Sequence, residues 1–149
     1  MTNGTFSTRF ASKHKIREKM EKIFLIKILC LITPSFALAG AIITHPGVKL
    51  EASEVREVFL GEKFSAASGD KLYLVDNKAA LSGFCAKIMK MEPSKYSAMW
   101  AKKSFRDGIS SPKSKVSDAD VIEYVKTTPG AIGYILGTVP NEVTKVTGY

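Results

Sequence analysis

The feature that most constrains this chain is an apolar stretch over residues 28–40, which divides it into two unequal parts. The stretch follows a short basic segment after Met20 and contains the small-x-small triplet Ala37-Leu38-Ala39. These are the parts of a secretory signal peptide. A helix that spans a bilayer needs roughly 20 apolar residues, more than this stretch offers. We therefore predict a signal peptide over residues 1–39, export to the periplasm, and a mature domain over residues 40–149.

Other interpretations of this N-terminal part stay open. It could instead be a membrane anchor or a buried helix. Nineteen residues precede Met20, which is long for the basic part of a signal, so Met20 is a second candidate for the start codon. Cys30 follows Ile28 and Leu29 rather than small residues, which disfavours a lipidation site.

The charge of the chain is concentrated in the same N-terminal part. The sequence has 22 Lys+Arg and 14 Asp+Glu, a formal net charge of +8. Residues 1–39 hold seven of the basic and two of the acidic side chains, which is +5 and leaves +3 for residues 40–149. Nucleic-acid binding usually needs a strong basic excess on the domain itself. We predict no nucleic-acid partner.

The mature domain contains one cysteine, Cys85, so it cannot form an internal disulfide. Its core must come from packing alone, which about 110 residues can supply. A single exported cysteine is either a buried small hydrophobe or a reactive thiol. No histidine lies within thirty residues of Cys85, and this favours burial.

Short apolar runs alternate with helical patterns along the mature domain. We predict strands over residues 41–44, 71–75, 131–135 and 143–146. Helices are predicted to begin after caps at Ser53, at Asp76 or Asn77, and at Ser117, and another is predicted to begin at Pro93. Strands that alternate with helices indicate an α/β layered domain.

Further features refine this prediction. Gly61 suits the position after the first helix. In the second helix, Phe84, Ile88 and Met91 are spaced to form one apolar stripe. Residues 106–116 are polar and rich in Ser and Lys, which predicts an exposed, mobile loop.

The residues of the mature domain give little support for catalysis or for a metal site. His45 is its only histidine and has no second ligand at metal-binding spacing. The sequence contains neither a Gly-x-Ser-x-Gly elbow nor a Walker A or Gly-x-Gly-x-x-Gly motif. We predict no catalytic residue, no metal and no cofactor, and conclude that the protein is not an enzyme.

Anion binding is better supported by the residues that open the second predicted helix. Lys78, Ser82 and Gly83 follow a predicted strand, and helix N-terminal N–H groups beside a hydroxyl and a Lys suit an oxyanion. Ser110 and Ser111 belong to a second loop rich in donors. From the residues alone, ordinary helix capping is the favoured explanation of the first segment.

Three aromatic residues at helical spacing raise a separate question. Tyr96, Trp100 and Phe105 could form a core stripe or a platform for a ligand, and the core interpretation is the more usual one.

Several of these pieces occur in an order that resembles a known family. Phe59-Leu60-Gly61 comes first, then a strand, a helix and Trp100, and then Thr128-Pro129-Gly130-Ala131-Ile132-Gly133-Tyr134. Together they resemble the phosphate ABC transporter substrate-binding protein family, and in particular its short exported members with one periplasmic-binding-protein-like domain. The matching pieces cover about residues 41–136.

The resemblance implies a fold and a function. The fold is a single type II periplasmic-binding-protein-like lobe, a mixed sheet flanked by helices. The function is to hold phosphate or a related oxyanion for ABC-type transport, with a membrane permease as partner. The candidate ligand contacts are Lys78, Ser82 and Gly83 at a helix N-terminus, with Ser110 and Ser111 on the facing loop.

The chain departs from the family pattern at the second helix. Phe84 stands where full-length members have a hydroxyl, and Leu81 stands where short members commonly have Arg. The alternative is therefore a periplasmic sensory or interaction module with a vestigial ligand site. Homodimerisation, which would complete a cleft, is left open.

Overall fold

The computed structural model describes residues 39–149, so residues 1–38 of the predicted signal peptide lie outside the described residues. A 3₁₀ turn, Ala52–Glu54, precedes the first helix, and a π-helical turn, Cys85–Met89, continues the second. The strands and helices follow in the order β1 (Ala41–Thr44), α1 (Val55–Phe59), β2 (Tyr73–Asn77), α2 (Leu81–Phe84), α3 (Pro93–Asp107), β3 (Lys113–Lys115), α4 (Asp118–Thr127), β4 (Ala131–Ile135) and β5 (Thr144–Gly148).

The strands form one mixed sheet in the order β3-β2-β4-β1-β5. β2 runs parallel to β3 and to β4, whereas β1 runs antiparallel to its neighbours β4 and β5. Ala41 in β1 is paired with Ile135 on one side and with Gly148 on the other. The predicted fold class, an α/β lobe with a mixed sheet flanked by helices, is confirmed.

The two faces of the sheet carry different cores, because side chains alternate between the faces along each strand. The face covered by α1, α2 and α3, called the aromatic face, buries large rings: Phe59, Phe84, Tyr96, Trp100 and Tyr134. The face covered by α4, called the aliphatic face, buries smaller side chains: Ala41, Ile43, Val75, Val121, Val125, Ala131, Ile135 and Val143. Helices therefore cover the sheet on both sides.

The strand predictions are confirmed at residues 41–44 and 131–135 and are displaced elsewhere. β2 begins at Tyr73 rather than residue 71 and continues through Asp76 and Asn77. Those two residues belong to the strand because they are paired with Ser114 and Lys115 of β3. The prediction that Asp76 or Asn77 caps a helix was therefore wrong. β5 is likewise displaced, to Thr144–Gly148.

The segment predicted as a mobile loop over residues 106–116 is partly ordered structure. Residues 106 and 107 complete α3, and Lys113–Lys115 form the edge strand β3. The run Lys-Ser-Lys has no apolar alternation, so its sequence carries no strand signal. Charged residues on an edge strand discourage pairing with other chains, which is consistent with this composition.

The helix predictions are confirmed at Pro93, where α3 begins, and at Ser117, whose Oγ accepts the Asp120 N–H at 3.2 Å. The predicted Ser53 cap was wrong. Ser53 lies inside the 3₁₀ turn, and the Glu51 N–H donates to the Glu54 carboxylate at 3.0 Å. Gly61 follows the end of α1, as predicted.

The π-helical turn changes which residues of the second helix are buried. Phe84, Cys85 and Met89 are fully buried, whereas Ile88 and Met91 are only partly buried at the edge of the aromatic cluster. A π turn places more residues in each turn than an α-helix does, so it rotates the buried stripe away from the predicted one.

Two glycines are required by close contacts around β4. Gly130 has φ +81°, and a Cβ there would lie 2.1 Å from the Lys71 carbonyl oxygen. A Cβ on Gly133 would lie 2.6 Å from a methyl carbon of Val75 and 2.8 Å from one of Val121. Gly133 thus lets α4 approach the sheet closely.

Candidate functional site

The carboxyl ends of β2 and β4 form the point of the sheet at which its connections diverge. The chain leaves β2 toward β3 on one side, and it leaves β4 toward β5 on the other. In α/β sheets, ligands bind in the crevice outside the carboxyl ends of strands that diverge in this way. The polar groups near this point are therefore the first candidates for a site.

The Asp76 side chain is the central polar group on the aromatic face. Its Oδ1 atom accepts hydrogen bonds from the Tyr96 hydroxyl at 3.0 Å and from the Tyr134 hydroxyl at 3.1 Å. Burial raises the pKa of the Asp76 carboxyl to about 6, although the two hydroxyl donors act in the opposite direction. Burial also raises the pKa of both tyrosines, so they remain neutral donors.

Asp76 lines a cavity of about 340 Å³, called the Asp76 cavity. Its walls carry one basic side chain, Lys78, and three serines, Ser97, Ser111 and Ser114. The apolar part of the lining comes from Leu81, Tyr96, Trp100, Ala101 and Pro112. The cavity therefore combines a buried carboxyl acceptor with hydroxyl and ammonium donors, a mixture that suits a small polar ligand bearing both a proton and negative charge.

A second carboxylate lies at the same strand ends but is fully engaged by fixed donors. Asp118, the first residue of α4, accepts hydrogen bonds from the Gly137 N–H at 2.7 Å and from the Leu136 N–H at 3.0 Å. The Asn77 side-chain amide donates to Asp118 at 2.5 Å and to the Tyr134 carbonyl oxygen at 3.2 Å. These backbone donors after β4 are thus occupied by a carboxylate of the chain itself.

The predicted ligand contacts fall into three groups. Lys78 and Ser111 line the Asp76 cavity together. Ser110 lines a neighbouring cavity, which also includes Ser111. Ser82 and Gly83 lie in α2 and do not line either cavity; Ser82 is exposed, and Gly83 approaches the ring of Tyr149.

Sequence reasoning missed Asp76 as a site residue, although a signal for it was present. Leu72, Leu74 and Asp76 occupy alternate positions, and alternate residues of a strand point to the same face. Extending the predicted strand by one residue would have placed Asp76 on the same buried face as Leu74.

The aromatic residues and Cys85 have mainly structural positions. Tyr96 and Trp100 are buried in the aromatic cluster, whereas Phe105 is 95% exposed. Cys85 is buried, as predicted, and burial is the main reason that the pKa of its thiol rises to about 11.

Within residues 39–149, no group of three metal-binding side chains comes together, and no helix is both long and apolar enough to cross a membrane.

Comparison with known proteins finds similarity only among solved structures. No protein-family description and no curated protein matches the chain. An ABC-type phosphate transport receptor from Vibrio cholerae is 18% identical, with a TM-score of 0.45, over 74% of this chain and 47% of that one.

Two further solved structures bear similar descriptions. A protein from Clostridium perfringens, described as a phosphate ABC transporter substrate-binding protein with bound phosphate, is 16% identical, with a TM-score of 0.47, over 72% of this chain and 44% of that one. PstS from Borrelia burgdorferi is 19% identical, with a TM-score of 0.41, over 65% of this chain and 40% of that one. The chain thus spans less than half the length of each of these structures.

Proposed function

We propose that residues 40–149 form an exported domain that binds a small oxyanion, inorganic phosphate being the first candidate, in the Asp76 cavity. The observation that carries this proposal is the combination of the partly buried Asp76 carboxyl, Lys78 and three serine hydroxyls around one cavity of about 340 Å³. The proposed role is to hold the anion without chemical change for ABC-type transport, in the periplasm and with a membrane permease as partner.

The chemistry of the cavity supports this ligand class. Phosphate near neutral pH keeps at least one proton, so it needs a hydrogen-bond acceptor as well as donors. Both tyrosines donate to Oδ1 of Asp76, which leaves Oδ2 without a tyrosine partner and able to accept that proton. The Lys78 ammonium and the Ser111 hydroxyl would then donate to the remaining oxygens.

The remaining predicted contacts belong to the proposal as secondary ones. Ser110 lies on the loop that also carries Ser111, and Ser82 and Gly83 lie one turn beyond Lys78. We expect their substitution to weaken binding less than that of Lys78 or Ser111, because they do not line the Asp76 cavity.

One observation favours the second candidate, a sensory or interaction module with a vestigial site. The N–H groups of Leu136 and Gly137 are engaged by Asp118 and are not free to bind a ligand anion. A site that depended on backbone donors after β4 would therefore be closed.

The deciding experiment is a calorimetric titration of the purified protein with inorganic phosphate at low salt. Saturable binding in the micromolar range, roughly −8 kcal/mol, is expected. Lys78→Ala and Ser111→Ala should weaken it, whereas the matched controls Lys102→Ala and Ser94→Ala, at exposed positions of α3, should not. No heat and no rise in melting temperature at millimolar phosphate would contradict the proposal and favour the interaction module.

A further inference from the structure

A second cavity, of about 490 Å³, lies beside the Asp76 cavity and differs from it in composition. The two cavities share Trp100, Ser111 and Pro112, but neither Asp76 nor Lys78 lines the second one. It is called the aromatic cavity, because its walls include four aromatic side chains: Phe64, Tyr73, Trp100 and Tyr124. Its volume falls within the range of sites that bind small organic molecules, about 300–1,000 Å³.

The short edge strand β3 explains why this cavity exists. β3 is paired only with Val75, Asp76 and Asn77 of β2, so the first residues of β2 have no strand beside them on that side. The loop of residues 108–112 runs past this open edge and forms one wall. Tyr73 is 43% exposed and Phe64 is 37% exposed there, which leaves ring surface available to a ligand.

The charge of the aromatic cavity has one sign. Two lysines, Lys71 and Lys113, line it, and none of the described residues around it is Asp or Glu. The Lys71 Nζ atom lies 5.5 Å from the centre of the Tyr73 ring, and the Lys113 Nζ atom lies 5.2 Å from that of Tyr124. Both ammonium groups are therefore held beside aromatic faces by cation–π attraction.

We propose that the aromatic cavity is a second binding site, which takes a small aromatic carboxylate. The ligand ring would pack against the exposed rings of Tyr73 and Phe64. Its carboxylate would pair with the ammonium groups of Lys71 and Lys113. The uniform positive charge selects an anion, and the apolar walls select an organic one, so this ligand differs from the inorganic oxyanion of the Asp76 cavity.

The test uses 3-phenylpropanoate as the probe. Its binding is measured by calorimetry and by the fluorescence of Trp100, the single tryptophan of the chain. The probe should bind saturably and change the emission, because Trp100 lines the cavity. Its uncharged analogue 3-phenylpropanamide should bind about tenfold more weakly, the loss expected for two exposed charge contacts. Acetate, which lacks the ring, should not bind.

Lysines of one strand supply the matched variants. Lys113→Ala should weaken binding of the acid about threefold to fivefold and leave the amide unchanged. Lys115→Ala is the control. Lys115 lies on the same strand, and its Nζ atom is 5.6 Å from the centre of the same Tyr124 ring, but it does not line the cavity. Tyr73→Ala should weaken both probes. Circular dichroism of each variant confirms that it is folded.

Several results would overturn the proposal. They are the absence of saturable binding at millimolar 3-phenylpropanoate, equal affinity for the acid and the amide, and equal losses of affinity in Lys113→Ala and Lys115→Ala. Displacement of the probe by phosphate would assign the binding to the Asp76 cavity instead. Binding of the probe that is insensitive to phosphate and to Lys78→Ala would support two separate sites.

Discussion

The two faces of the sheet surround a partly buried carboxyl group in opposite ways. On the aromatic face, Asp76 has two tyrosine hydroxyls on one oxygen and borders a cavity. On the aliphatic face, α4 packs closely, and its first residue, Asp118, accepts hydrogen bonds from two backbone N–H groups and a side-chain amide. Asp76 therefore keeps one carboxylate oxygen that can accept a hydrogen bond from a ligand, whereas the Asp118 carboxylate already accepts hydrogen bonds from groups of the chain itself.

This contrast indicates how one small domain can combine rigidity with a binding site. Small aliphatic side chains and Gly133 let α4 lie close to the sheet. Large rings cannot interdigitate so completely at the edge of a cluster, and the cavities lie where α3 and the loop before β3 meet β2. We expect changes in the close-packed core of the aliphatic face to affect stability, and changes around the two cavities to affect titration and binding.

The largest expected effect is on the pH dependence of folding through Asp76. Burial raises the pKa of this carboxyl from 3.8 to about 6, so between these values the folded protein binds more protons than the unfolded chain. Its contribution to stability is therefore greatest below pH 4 and is lost as the pH rises through 6. Asp76→Asn removes this loss. As the pH rises through that window, the free energy of unfolding of the variant should increase relative to that of wild type by up to about 3 kcal/mol.

Urea unfolding at pH 4, 5, 6 and 7.5 measures this difference. Asp107→Asn is a suitable control, because the pKa of Asp107 is lowered by its hydrogen bond with Arg106 and its carboxyl is exposed. A difference between Asp76→Asn and wild type that stays constant with pH would show that Asp76 does not titrate in this range.

The next effect tests the close packing of the aliphatic face. Gly133→Ala would place a methyl group against Val75 and Val121, and overpacking of this kind costs about 2 kcal/mol. The midpoint of urea unfolding should fall accordingly. Gly148→Ala, in the edge strand β5, is the matched control, since its nearest contact would be an ordinary 3.6 Å. Equal effects at both positions would contradict the proposed close approach of α4.

A smaller effect is expected when the donors around Asp118 lose their acceptor. Asp118→Ala leaves the Leu136 and Gly137 N–H groups and the Asn77 amide without this carboxylate, which should cost about 1–2 kcal/mol. Thermal unfolding measures the loss, and Asp70→Ala, at an exposed turn, should change little. If Asp118→Ala instead left stability unchanged and strengthened phosphate binding, the contrast drawn between the carboxyl groups of Asp76 and Asp118 would be contradicted.

The smallest effect is expected at Cys85. Its thiol is buried and has a pKa of about 11, so a thiol-specific reagent at pH 7.5 should not label Cys85 in the folded protein and should label Cys85 fully in urea. Ser82→Cys, at an exposed position of α2, provides a thiol that should react at once. Rapid labelling of Cys85 in the folded protein would show that the aromatic core opens readily.

The sequence predicted the class of fold because alternation and caps are local signals. The strands at 41–44 and 131–135, the Pro93 start and the Ser117 cap all follow from neighbouring residues. β3 was missed because it is ordered by pairing with β2 rather than by its own apolar residues. The π turn gave no recognisable pattern, and it moved the buried stripe of the second helix.

The site was predicted less completely than the fold. Lys78 and Ser111 were proposed as ligand contacts on facing segments, and both line the Asp76 cavity. Asp76 was interpreted as a helix cap, because the end of β2 is fixed by the register with β3, which cannot be read from β2 alone. The two tyrosines that hold Asp76 come from α3 and β4, so their convergence depends on the tertiary fold.

The position of β1 in the sheet has a consequence for how the protein folds. β1 is near the start of the described chain, yet its partners β4 and β5 lie near the end. Such long separations give a high contact order, which slows folding, because a large loop must close before any of these pairs forms. During synthesis, the apolar strand that contains Ile42 and Ile43 therefore stays unpaired until nearly the whole domain has been made. Until then that strand has unpaired backbone groups at which other chains can pair.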